Sequence, residues 1–138
     1  GCATKLAPKA NNEKQEAVKQ EVLQLLEKEY NQQFKIVDYS YSYDTHYPAG
    51  NCSGDTCTLR KFGTYLFKIQ AINNPIIVMS LRLEDTKIGY KWLNYSIKHS
   101  YCAKFSDIYE KKDIYPKEDI LEAKKVCDSR HETYYKTP

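Results

Sequence analysis

Apolar residues recur along the chain with two different periods. Val18, Val22, Leu25, Leu26 and Tyr30 return at helical intervals, with Lys14, Lys19, Gln20, Glu21 and Lys28 on the other sides. That spacing predicts an amphipathic helix whose apolar stripe faces a core. Asn12 followed by Gln15 fits a capping pattern at its start. Over residues 34–44 the period drops to two. Val37, Tyr39, Tyr41 and Tyr43 alternate with Asp38, Ser40, Ser42 and Asp44, which predicts a strand. A second strand is expected from Thr58 to Ala71, with Tyr65, Phe67, Ile69 and Ala71 on one side. Asn73-Asn74-Pro75 reads as a turn. Beyond it a third strand, Ile76 to Glu84, aligns Ile77, Met79, Leu81 and Leu83. Asp85-Thr86 would then lead into a fourth strand from Ile88 to Asn94, aligning Ile88, Tyr90 and Trp92. The short gaps imply antiparallel pairing.

Helical spacing returns towards the C-terminus. Ile97, Tyr101, Phe105 and Ile108 predict a helix over residues 95–111. Pro116 suits the first turn of another, with Ile120, Leu121, Lys124 and Cys127 along one side. The expected fold is α+β: an N-terminal helix packed on an antiparallel sheet of three to four strands, with C-terminal helical segments clipped by a disulfide. Residues 1–11 read as a flexible tether, 12–133 as one domain and 134–138 as a tail. The arrangement from Val22 to Glu84 resembles the cystatin-like or PepSY-like domains of small exported bacterial proteins, which implies a helix laid across a β-meander.

The cysteines change the picture most. Cys52, Cys57, Cys102 and Cys127 lie in the body of the chain, and Cys2 stands apart near its start. Four cysteines allow three connectivities. Cys52 and Cys57 flank a turn-rich Ser-Gly-Asp-Thr segment and make a natural local pair, leaving Cys102 with Cys127. Disulfides imply an oxidising compartment. The spacings lack the paired C-x2-C pattern of a zinc site. Gly1-Cys2, followed by a polar stretch, resembles the end of a bacterial lipobox. The resemblance implies lipidation at Cys2 and a mature chain on the periplasmic side of the envelope. Ala3, in place of an inner-membrane retention aspartate, implies the outer membrane.

Charge and composition exclude more than they select. The net charge is +3, from 21 basic and 18 acidic residues that alternate along the chain. The sequence therefore shows no block of basic residues of the kind a nucleic-acid binder displays. No apolar run approaches the ~18 residues of a membrane span. Tyrosine is the outlier, with 13 against 4 phenylalanines and 1 tryptophan. Its ring and hydroxyl suit half-buried sheets and protein interfaces alike.

No catalytic or nucleotide-binding motif is present. His46, His99 and His131 lack ligand-spaced partners, and all four body cysteines have a disulfide role. The expectation is a binding protein without cofactor or metal. Its candidate partner surface is Tyr39, Tyr41, Tyr43, Asp44, His46 and Tyr47, beside the loop that Cys52 and Cys57 would brace. A pocket lined by Tyr65, Phe67 or Trp92 is the small-ligand alternative. In size and organisation the chain is similar to the immunity lipoproteins that Gram-negative bacteria keep in the periplasm to neutralise effector toxins. That implies a protein partner, a lipid anchor and no nucleic acid. A structural or accessory role in a secretion or conjugation apparatus is the alternative.

Overall fold

The computed structural model describes residues 3–47 and 58–136. The elements are β1 (Ala3–Leu6), α1 (Asn12–Tyr30), β2 (Phe34–His46), β3 (Thr58–Ala71), β4 (Val78–Glu84), α2 (Lys87–Tyr109) and α3 (Lys117–Ser129). Short 3-10 turns lie at Lys112–Ile114 and Tyr134–Lys136. β3 is the spine of the sheet. β2 runs antiparallel along one edge of it. The other edge is shared end to end, with β1 parallel against Thr58–Lys61 and β4 antiparallel against Thr64–Gln70. The fold is α+β, as the periodicities predict. Within the expected tether, Ala3–Leu6 form a strand of the sheet, and within the expected tail, Tyr134–Lys136 form a turn against α2.

Both helices cover one sheet face. Tyr65, Phe67, Ile69 and Ala71 of β3 and Met79, Leu81 and Leu83 of β4 are buried there against Val18, Val22 and Leu26 of α1 and Leu93 and Ile97 of α2. Burying each of the aliphatic, phenylalanine and methionine side chains larger than alanine contributes about 1.5–3 kcal/mol. Tyr30 closes α1 onto α2: its ring stacks on Tyr101 at 5.1 Å, and its hydroxyl donates to the Ile97 carbonyl at 2.7 Å. α3 buries Ile120, Ala123 and Cys127, while Leu121 is exposed, because helical rotation carries it off the stripe. Cys102 and Cys127 form a disulfide with Cα atoms 5.7 Å apart. The expected Cys52–Cys57 bridge and Cys2 lie outside the described residues.

Four expectations are corrected. The fourth strand is not a strand: Ile88 to Asn94 form the opening of α2. Gly89, Leu93, Ile97, Tyr101 and Phe105 repeat every four residues and are buried, so a helix satisfies more apolar positions than the short alternation of Ile88, Tyr90 and Trp92. Thr86 caps this helix, its hydroxyl accepting from the Gly89 amide at 2.9 Å. Val37 does not share a face with Tyr39. The register slips between Ile36 and Asp38, so Val37 bulges out and is 47% exposed, while Phe34 and Ile36 join the tyrosines inside. The cap of α1 is Asn11, whose side chain accepts from the Lys14 amide, and Gln15 reaches back to the Ala10 carbonyl. The third strand begins at Val78, not Ile76, because Asn74 and Ile77 close a hydrogen-bonded turn first.

The turn from β4 into α2 depends on Gly89. A Cβ there would press into the Glu84 backbone carbonyl, which cannot swing aside as a side chain would. Gly89→Ala is expected to destabilise the fold by about 2 kcal/mol, read as a lower denaturant midpoint at constant slope. An unchanged midpoint would mean that the turn is not tight.

Candidate interaction surface

The sheet face opposite the helices carries no covering layer among the described elements. Its side chains follow from the pairing register and form rows across the strands. Asp38, Lys68 and Ser80 make one row, Ser40, Leu66 and Arg82 the next, and Ser42, Thr64 and Glu84 the third, in which Thr64 is buried. Leu66 sits at the centre and is 46% exposed, although its neighbours on the same strand, Tyr65 and Phe67, are buried on the far side. The ring of charge and hydroxyl around it encloses a shallow cavity of about 310 Å³. Arg82 reaches Glu84 at 3.5 Å, an exposed pair that contributes little to stability. An apolar centre inside a charged and hydroxylated rim is the composition of a protein-docking patch.

The structure splits the sequence-predicted surface in two. Asp44 and His46 belong to this open face, where the His46 ring lies flat on Phe62 with centroids 3.7 Å apart. Tyr39, Tyr41 and Tyr43 point the other way. Their hydroxyls fasten the chain that enters α1: Tyr39 donates to Gln15 at 2.6 Å, Tyr41 accepts from the Ala10 amide at 2.9 Å, and Tyr43 donates to the Ala7 carbonyl at 2.6 Å. Tyr41 crosses directly over Gly63, where a Cβ would displace its ring. These three tyrosines are therefore an internal ladder holding residues 7–15. Tyr47 follows the end of β2 and is exposed. The small-ligand pocket does not form either, since Tyr65 and Phe67 are core residues and Trp92 lies on the outside of α2.

Leu66, Lys68, Ser80 and Arg82 were not singled out by sequence reasoning. The available signal was one apolar residue at a position whose strand neighbours of the same parity are polar or charged. The second exposed surface, the outer side of α2, is hidden in the sequence pattern because the expected strand over Ile88 to Asn94 separates Ile88 and Trp92 from Tyr95 and His99 of the expected helix.

Arg130 follows α3 and gathers three elements: it bonds Glu29 of α1 at 2.7 Å, the Lys98 carbonyl of α2 at 2.9 Å and Glu132 at 3.3 Å. Its guanidinium also lies 4.4 Å from the centre of the Tyr30 ring. No group of three metal-ligating side chains occurs among the described residues, and no described helix is long and apolar enough to cross a membrane. Comparison with protein-family models, curated proteins and solved structures returns no match.

Proposed function

We propose that the chain is a non-catalytic envelope lipoprotein, anchored in the outer membrane through Cys2, that binds and neutralises a toxin or hydrolase on the periplasmic side. The open sheet face around Leu66 is the observation that carries this reading. It is a preformed surface on a rigid element, so docking on it orders little that is not already ordered. The buried Cys102–Cys127 bridge suits an oxidising compartment. A lipid at Cys2 would keep the domain near the membrane and raise its effective concentration there.

Inhibition by occlusion needs no chemistry from this chain. Leu66 would enter an apolar depression beside the target's active site, and Asp38, Lys68 and Arg82 would fix the register with opposite charges. The test is survival under attack. A strain lacking the protein should lose viability only when a toxin-delivering neighbour is present. The wild-type gene should restore survival, and Leu66→Arg should not, although this exposed substitution leaves stability nearly unchanged. Equal survival of all three strains under challenge would end the proposal.

A further inference from the structure

The outer side of α2 carries two parallel stripes. Ile88, Trp92 and Tyr95 are 56%, 61% and 60% exposed, and His99 continues their line. Trp92 and Tyr95 meet edge to face with centroids 6.0 Å apart, and Tyr95 lies on the His99 ring at 4.4 Å. Lys87, Lys91 and Lys98 stand one residue before Ile88, Trp92 and His99, with Asn94 in the place before Tyr95, about a quarter turn away on the helix. All three lysines are exposed. No aspartate or glutamate occurs on α2 before Asp107. The aromatic stripe lies about 150° around the helix from the buried line through Gly89, Leu93, Ile97 and Tyr101. It therefore faces away from the sheet, on the opposite side of the domain from Leu66.

We infer that this face of α2 seats the domain on an anionic lipid surface. Tryptophan and tyrosine favour the boundary between headgroups and acyl chains, where the ring is apolar and its polar atom stays wet. Lysines beside them keep their stems along the boundary and their ammonium groups among phosphates. The stripes run about 16 Å from Ile88 to His99, enough to lie flat on a bilayer. Two carboxylates lie nearby: Glu132, paired with Arg130 at 3.3 Å, also stands 3.8 Å from His99 Nδ1 at the far end of the stripe, and Asp85 accepts from Tyr90. Charge also argues against a second copy as the occupant, because two such faces would bring their lysine rows together. The core of a protein interface is depleted of lysine, whereas a headgroup layer is not. Seated this way, the domain turns its open sheet face outward. The inference does not depend on a lipid at Cys2 or on the partner proposed for the sheet.

Trp92 is the only tryptophan in the chain, so its emission reports this face alone. The experiment mixes the unacylated 138-residue chain with vesicles of phosphatidylcholine containing phosphatidylglycerol, and with vesicles of phosphatidylcholine only. The expected result is a blue shift, protection from acrylamide and co-sedimentation with the anionic vesicles, all weakened by salt. Lys87→Gln, Lys91→Gln and Lys98→Gln together should weaken partitioning by roughly a hundredfold, at about tenfold or less for each lysine. Tyr95→Ala, followed by sedimentation, should weaken it further while the circular dichroism stays native. No shift with anionic vesicles, or equal binding by the triple variant, would overturn the inference. So would a blue shift that appears with protein concentration alone, which would assign the face to a second copy. Protection of Trp92 only after addition of a protein partner would overturn it as well.

Discussion

Removing the Cys102–Cys127 bridge, by Cys102→Ala with Cys127→Ala, is expected to cost about 3 kcal/mol of stability. The closed loop spans a sequence separation of 25 and joins the middle of α2 to the end of α3. Opening it frees the unfolded chain more than it alters the native one. Both side chains are buried in the core, so alanine also leaves small voids there. With ΔG of unfolding in the usual range of about 5–15 kcal/mol, that loss is a large fraction of the total. It corresponds to a fall in Tm of about 10 °C. Arg130 still links the end of α3 to Glu29 and Lys98, so the variant should fold and the loss should be measurable. Guanidinium unfolding of the two proteins is the direct measurement, and a difference below about 1 kcal/mol would show that the bridge is incidental.

Alkaline pH is expected to unfold the protein between about pH 10 and 12. Burial pushes Tyr30 and Tyr101 up from 10.0 to about 12 and raises Tyr65 as well. In the unfolded chain these phenols ionise at the ordinary value. Below that value both states are protonated and the stability is fully present. As pH rises past it, the unfolded state loses protons that the native state keeps, and stability falls until the native phenols ionise too. Three such groups remove about 4 kcal/mol at pH 11, at roughly 1.4 kcal/mol each per pH unit. Tyr65 and Tyr101 have hydroxyls without hydrogen-bond partners among the described residues, so phenylalanine fits either site. Tyr101→Phe should therefore move the alkaline midpoint upward while leaving neutral stability nearly intact. Tyrosinate absorbance that rises fully near pH 10 with native circular dichroism would contradict this account.

The periodic parts of the fold were legible in the sequence and the exceptions were local. Val18, Val22, Leu26 and Tyr30 announced α1, and the alternation from Tyr65 to Ala71 announced β3 with its correct buried face. The bulge at Val37 was not legible, because one extra residue preserves composition while it reverses parity. The start of α2 was misread for a related reason. Ile88, Tyr90 and Trp92 alternate like a strand only if Gly89 and Leu93 are ignored, and Gly89 is buried because β4 lies against it. Strand β1 gave no signal, since Ala3–Leu6 are too few to show a period and are held by the edge of β3.

The candidate surface was half legible. Tyrosine-rich β2 drew attention to a strand that contributes to the open face, yet alternation cannot tell which side the helices will cover. The hydroxyl bonds from Tyr39, Tyr41 and Tyr43 to residues 7–15 settle that side as internal. Asp44 and His46 then fall on the open face by parity, together with Leu66.

The measurement that most directly tests the central proposal is affinity capture from envelope extracts of competing bacteria, with the full chain immobilised through Cys2 and the retained proteins identified by mass spectrometry. A Leu66→Arg chain serves as the matched control. The account predicts one secreted hydrolase or lipase, retained by the wild-type chain, lost with Leu66→Arg and inhibited on adding the protein. Retention of resident envelope components in its place, or equal retention by both chains, would contradict it.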